Sequence, residues 1–387
     1  MTGKAYITNL SAFLPNKPVG NDEMEAVLGM INGRPSRVRR IILRSNGIKT
    51  RHYAMEPGTG RITHTNAQLT AEAVRRLANG RFKLEQIDLL ACGTTFADQM
   101  VPSHTNMVHG ELGIPSCENI STSGVCISST AALKYAMLGV KSGEFRHAVS
   151  AGSETPSSVM HARYFEPESD AQVEALEGDS VLAFQKDFLR WMLSDGAGAA
   201  LVEPAPADHG LSLRLDWIVG RSYANEQPAC MYAGAEKLPD GSLKSWRRFE
   251  PSEWANHSIL TLKQDVKQLN EHVMPYTVER PLREIPQLKA LKPADIDFFV
   301  PHYSSHYFRD KVYEHMLKAG FDIPQERWFT NLYTKGNTGA ASIYILLEEL
   351  FHSGRLKAGQ RILCYVPESG RFNTAWIHLT VCGPDGA

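Results

Sequence analysis

A layered α/β fold built twice over is what this sequence predicts, and three observations predict it. Short apolar runs of strand length alternate with longer helical stretches, the pattern of sheets covered by helices. The run Leu89-Leu-Ala-Cys-Gly-Thr-Thr95, entered from Lys83-Leu-Glu-Gln-Ile-Asp88, has a counterpart in Phe298-Phe-Val-Pro-His-Tyr303, entered from Lys292-Pro-Ala-Asp-Ile-Asp297. Behind each run a small-residue segment opens a charge-poor stretch of helical length: Gly124-Val-Cys-Ile-Ser-Ser-Thr-Ala-Ala132 and Gly336-Asn-Thr-Gly-Ala-Ala341. The spacing is 38 residues from Asp88 to Cys126 and 40 from Asp297 to Asn337. A third pair, Gly143–Glu154 with Gly359–Ser369, follows in the same order. Such a repeat predicts two related halves, residues 1–205 and 206–387, with the proline-containing loop Val202–Gly210 at their junction. Helices poor in charge are buried ones. The helices after Cys126 and Asn337 are therefore expected between two mainly parallel sheets, in αβαβα layers.

Composition narrows the function. At 387 residues the chain exceeds one small core. Forty-one Lys and Arg against 42 Asp and Glu leave a net charge of −1, which excludes a globally basic nucleic-acid binder. No run approaches the roughly 18 apolar residues of a membrane span. The opening MTGKAYITNLSAFLPN has no apolar core or small-residue cleavage site, so a cytoplasmic location is expected. Six cysteines are scattered at 92, 117, 126, 230, 364 and 382 without a CxxC pair, which argues against a disulfide framework and structural zinc.

Duplication brings equivalent positions together across a pseudo-twofold axis. Cys126 and Asn337 occupy equivalent helix starts, and His302 emerges at a strand end, where active sites of such sheets gather. A helix N-terminus favours thiolate, so Cys126 is expected to have a lowered pKa. An arbitrary cysteine is more often an inert core residue, and an isolated histidine is as easily structural. The small residues around Cys126 and the repeat favour chemistry instead. His306, four residues after His302, is the weaker histidine candidate.

These residues resemble the thiolase superfamily, and within it the β-ketoacyl-acyl-carrier-protein synthase III branch. The resemblance covers nearly the whole chain. It rests on Gly47-Ile-Lys-Thr-Arg-His52, Pro102-Ser-His-Thr-Asn-Met-Val-His-Gly-Glu-Leu-Gly113, Ser194-Asp-Gly-Ala-Gly-Ala-Ala-Leu-Val202, Pro301-His302 and Gly336-Asn337-Thr-Gly-Ala-Ala-Ser342. It implies a thiolase-like duplicated five-layer fold and a Cys126–His302–Asn337 triad. Cys126 would carry an acyl group, and His302 and Asn337 would donate to the enolate oxygen of a second thioester. The Cys126 N–H and that of Gly370 would form the oxyanion hole for acyl transfer. Acyl thioesters of acyl carrier protein or coenzyme A are the implied substrates and partners, in a homodimer, with no resident cofactor or metal and no nucleic acid or membrane.

Three departures mark this chain. The C-terminal loop Glu368-Ser-Gly-Arg-Phe-Asn-Thr-Ala375 holds Arg371 and Asn373 where the family is richer in glycine. The segment between Glu154 and Ser194 is longer than in ordinary members, in a region that contributes to the dimer interface and acyl tunnel; it is either a surface elaboration or a change in acyl preference. Glu154 follows a strand end pointing at the active site, as an exposed or ion-paired residue or as a general base. As a base it resembles ketosynthase/cyclases of the dialkylresorcinol and stilbene pathways, which join a β-ketoacyl thioester and an acyl thioester into a cyclic dione. The alternatives are a plain synthase III using a malonyl thioester and a non-catalytic thiolase-like subunit. Such subunits lose the triad, and a degradative thiolase would need a second reactive cysteine in a glycine-rich cradle near the C-terminus. Finally, residues 26–55 hold Arg34, Arg37, Arg39, Arg40, Arg44, Lys49 and Arg51 and no acid. This is either a solvated face or a docking surface for coenzyme A phosphates or an acidic carrier, with Arg37, Arg39, Arg40 and Arg51 the leading candidates.

Overall fold

The computed structural model describes residues 3–167 and 188–386. Much of the long segment after Glu154, including its acidic stretch, lies outside the described residues. The main strands are β1 (Tyr6–Phe13), β2 (Leu89–Thr94), β3 (Glu118–Ser123), β4 (Ala148–Glu154), β5 (Gly196–Glu203), β6 (Ser212–Ser222), β7 (Phe298–Pro301), β8 (Arg361–Glu368) and β9 (Asn373–Cys382). They form one sheet in the order β7-β8-β9-β6-β1-β5-β4-β2-β3.

The two ends of this order repeat one another. From β2 the pairings run parallel to β4, antiparallel to β5 and antiparallel to β1. From β7 they run parallel to β8, antiparallel to β9 and antiparallel to β6. The two series meet only through Tyr6↔Arg214 and Ile7↔Leu213. The repeated aspartates do the same local work. Asp88 accepts from the Arg146 and His147 amides at 2.7 and 3.0 Å, and Asp297 accepts from the Arg361 amide at 2.8 Å. Each holds the entry of one strand to its parallel neighbour.

The expectation of mainly parallel sheets is corrected. Among the described residues, only β2–β3, β2–β4 and β7–β8 are parallel within the large sheet. A short turn joins β8 directly to β9, and β1 and β6 enter beside strands running the other way. Apolar alternation reports which face is buried, not the direction of the neighbour.

Five layers follow from which helices cover which faces. Helices α2 (Asn66–Arg75) and α3 (His104–Leu112) pack on the outer face of the β1–β5 region, with Leu69, Val74, Val108, Leu90 and Val149 in one core. On the far side α5 (Val266–Met274), α6 (Arg280–Lys289) and α7 (Arg309–Lys318) cover β7–β9 through Leu269, Leu282, Val312, Phe299 and Trp376. Between the two ends of the sheet lie α4 (Ser128–Ser142) and α8 (Ser342–His352), sharing a core with strands of both through Leu133, Met137, Ile343, Leu347, Val202 and Ile377. These are the two charge-poor helices. Before α2, the short α1 (Arg39–Asn46) carries the basic segment and ends at Gly47, whose φ of 70° suits a glycine C-cap.

Candidate active site

Two glycines seat the buried helices on the sheet. A Cβ on Gly93 of β2 would stand 2.5 Å from the Ser128 carbonyl carbon and the Ser129 nitrogen, so the start of α4 meets the strand only where a side chain is missing. A Cβ on Gly152 of β4 would stand 2.5 Å from the Ala340 oxygen. The first contact fixes the turn holding Cys126, immediately before α4, and the second fixes the turn holding Asn337. His302 follows β7, its amide donating to the Tyr365 carbonyl at 2.8 Å. Cys126, His302 and Asn337 line one chamber, whose other walls include Leu189, Met192, Met231, Leu269, Val273 and Phe308. That lining is suited to an acyl chain ending at a polar triad. A larger cavity of about 240 Å³ is lined by Phe96 and Thr155, the neighbours of Thr95 and Glu154, with His64 and Asp98, and holds no member of the triad.

Local bonds set the polarity of each group. Asn337 Oδ1 accepts the Gly339 amide at 3.0 Å, which leaves its Nδ2 as a donor. His302 is 4% exposed, and burial lowers its pKa to about 4. The imidazole is therefore neutral at pH 7, with one N–H to donate. Two uncharged donors beside a sulfur are what a developing enolate or oxyanion needs.

Cys126 departs from the expected thiolate. Burial, then Glu368, then Glu154 raise its pKa well above the ordinary thiol value. The physical reason lies at the start of α4: the Val125 amide donates to Glu368 Oε2 at 2.9 Å. A carboxylate from the end of β8 already sits at the positive end of the helix, so the dipole stabilises that group instead of a thiolate. In the sequence Glu368 is only one residue of a glycine-poor loop. Its partner lies 243 residues away, and only the fold brings the two together.

Glu154 ends β4 and is 4% exposed. Its Oε1 accepts the Thr95 hydroxyl, the Thr95 amide at 3.1 Å and the Ala340 amide at 3.2 Å. Burial lifts its pKa to about 7 despite these bonds. It lies against the Asn337 turn: a Cβ on Gly339, whose φ is +52°, would stand 2.8 Å from Glu154 Cγ. Among the described residues it has no ion-pair partner, so the exposed and ion-paired alternatives do not apply. Asp195, in the glycine-rich strand signature, is a fastener. It accepts the Ala54 amide at 2.6 Å and the Ser157 amide at 3.0 Å, and burial raises its pKa to about 6.

Gly370 lies in the β8–β9 turn, its missing Cβ 3.3 Å from Val125 Cγ2 beside the nucleophile turn. The basic segment is split. Arg37 and Arg40 are exposed, while Arg39 pairs with Glu25 at 3.0 Å. Arg51 is corrected: it is fully buried, bonded to Asn21 Oδ1 at 2.8 Å and the Trp191 carbonyl at 3.4 Å, and cannot dock a carrier. A charge count along the sequence carries no information on which side chain turns inward. Helix α1 packs against the turns Leu189–Trp191 and His306–Phe308, both of which contribute chamber walls. His306 binds the Tyr333 hydroxyl at 2.7 Å and is not among the chamber-lining residues.

Comparison with known proteins gives this geometry a setting. The family described as 3-oxoacyl-[acyl-carrier-protein] synthase III C terminal matches residues 287–371, a span that includes His302, Asn337 and Gly370. A β-ketoacyl-[acyl-carrier-protein] synthase III of Hyphomonas neptunium is 26% identical over 94% of this chain and 95% of its own. One from Deinococcus radiodurans is 24% identical over 93% and 89%. Among solved structures, the tetronic acid condensing enzyme AbyA1 superposes with a TM-score of 0.74 at 21% identity, covering 97% of this chain and 99% of that one. OleA of Xanthomonas campestris, with bound lauric acid and lauroyl-CoA, gives 0.70 at 18% over 98% and 100%. The structural likenesses show the fold, and the sequence relatives extend the similarity over nearly the whole chain. The chain is thus similar, over nearly its whole length, to β-ketoacyl-[acyl-carrier-protein] synthase III enzymes, and it shares their fold.

Proposed function

We propose that this enzyme joins a β-ketoacyl thioester to an acyl thioester and closes the product into a cyclic dione, an alkylresorcinol or stilbene precursor. Cys126 takes the acyl group, and His302 and Asn337 Nδ2 hold the enolate oxygen of the second thioester. The amides of Cys126 and Gly370 hold the oxyanion during acyl transfer. The observation that carries the cyclising step is Glu154. A malonyl thioester yields its carbanion by losing carbon dioxide and needs no base, whereas two preformed acyl chains must each give up a carbon-bound proton. A buried carboxyl group with a pKa of about 7, set against the Asn337 turn, is matched to proton abstraction at neutral pH.

Acyl carrier protein or coenzyme A delivers both substrates, with Arg37 and Arg40 beside the chamber walls as the docking charges. The enzyme works as a homodimer of chains with halves 1–205 and 206–387, and holds no resident cofactor. Supplying the β-ketoacyl and acyl thioesters to the wild type should give ring product by mass spectrometry, and E154Q should stall before ring closure. A second assignment is supported by the names of the sequence relatives: a plain synthase III condensing an acyl with a malonyl thioester. Reaction of the malonyl pair alone selects it.

A further inference from the structure

Two buried carboxylates act on the Cys126 thiol, and the condensation assigned above gives work to only one. Glu368 ends β8 and is 4% exposed. Its Oε2 accepts the Val125 amide at 2.9 Å and its Oε1 accepts Asn373 Nδ2 at 2.7 Å. Gly124 stands on the same side: a Cβ there would lie 3.4 Å from Glu368 Oε2. The carboxylate is thus fixed against the residues immediately before the nucleophile, by a strand from the opposite half of the sheet. Two neutral hydrogen bonds hold it in place, and each oxygen keeps a further lone pair. Among the described residues it has no cation.

This placement is costly unless it has a use, because a carboxylate there opposes a resting thiolate. The thiol is accordingly protonated at rest, and thioester attack needs a base at that moment. His302 is already assigned to the enolate oxygen of the second thioester. Glu154 is held on the Asn337 side by Thr95 and Ala340. Glu368 is also the stronger of the two carboxylates acting on the Cys126 thiol.

We propose that Glu368 is the proton acceptor for Cys126 during acylation. In the step, the Sγ–H proton moves to a Glu368 oxygen as Sγ bonds to the thioester carbonyl carbon. The carbon–sulfur bond to the carrier then breaks, and the departing sulfur takes that proton from Glu368. One thioester and one thiol are consumed, and one thioester and one thiol are produced, with no other reactant. The step rests on the assignment of Cys126 as the acylated nucleophile.

The test uses the full chain and two reagents at pH 7: iodoacetamide, which reacts with whatever thiolate is present, and octanoyl-N-acetylcysteamine, which must be attacked productively. Both are followed by mass spectrometry of the Cys126 peptide. Removing the charge in E368Q makes thiolate easier to form, so alkylation should quicken about tenfold or more. Acylation should slow by about 100-fold or more, the usual loss with a general base. E368D, which keeps the charge on a shorter stem, should alkylate slowly like wild type and acylate at an intermediate rate. Acylation that is unchanged in E368Q, or that rises with alkylation, overturns the proposal alone. Failure of the wild type to acylate Cys126 overturns the nucleophile assignment and this step with it.

Discussion

Replacing Glu154 with Gln should make the protein more stable and less active, with both effects following pH. The folded-state pKa of about 7 lies above the ordinary glutamate value of 4.5, because burial penalises the charged form. A raised carboxyl pKa means that the native state holds its proton more tightly than the unfolded chain, so stability falls as pH rises from about 4.5 to about 7. At about 1.36 kcal/mol per pKa unit, the ionised carboxylate costs the native state about 3 kcal/mol above pH 7.5 and about 1 kcal/mol at pH 5. Glutamine has nearly the same shape, and its Oε1 keeps the bonds from Thr95 and Ala340. E154Q escapes the cost of ionisation. Unfolding free energies of E154Q and wild type should differ by about 1 kcal/mol at pH 5 and by about 3 kcal/mol at pH 8, in favour of the variant. Ring formation by the wild type should rise with pH through about 7, as the base ionises, and be lost in E154Q. A variant less stable at every pH, or a difference that does not change with pH, refutes the reasoning and makes Glu154 an ordinary structural carboxylate.

Other consequences are more local. H302A and N337A should still acylate Cys126 but condense about 100- to 1000-fold more slowly, the usual loss of one such donor; single-turnover acylation set against product formation measures the split. Reversing Arg37 and Arg40 to Glu should raise KM for a carrier-borne substrate while sparing a small thioester mimic, and the difference should shrink at high salt. R51A should leave that KM alone and lower stability by about 1–3 kcal/mol, since buried acceptors at Asn21 and Trp191 lose their donor; denaturant unfolding measures it.

What could be seen in the sequence was what depends on local chemistry. The duplicated Asp88 and Asp297 segments were legible because each aspartate caps the amides of a neighbouring strand entry, a job that preserves its sequence context. The buried position of α4 and α8 was legible because a helix enclosed by strands has few places for charge, and each carries only two charged residues besides histidine, Lys134 and Lys141 in one and Glu348 and Glu349 in the other. Cys126, His302 and Asn337 were predicted to meet, and the structure brings them to one chamber. Strand direction was hidden, since alternation is the same in parallel and antiparallel neighbours. The charge state of the thiol was hidden for a different reason. A helix start can be inferred from Gly, Ser and Thr, but the Glu368 carboxylate that takes the Val125 amide just before it arrives from the other half of the sheet. Arg51 shows the same limit, as a cation in a basic run whose side chain turns inward to Asn21 and the Trp191 carbonyl.

The most direct measurement is the covalent one. Wild-type protein incubated with an acyl thioester, digested and weighed by mass spectrometry should show one acyl mass on the peptide containing Cys126. Cys92 and Cys230 are buried and do not line the chamber that holds Cys126, so their peptides should remain unlabelled. An acyl group on either of those cysteines, or on none, contradicts the account of this site as an acyl-cysteine condensing centre.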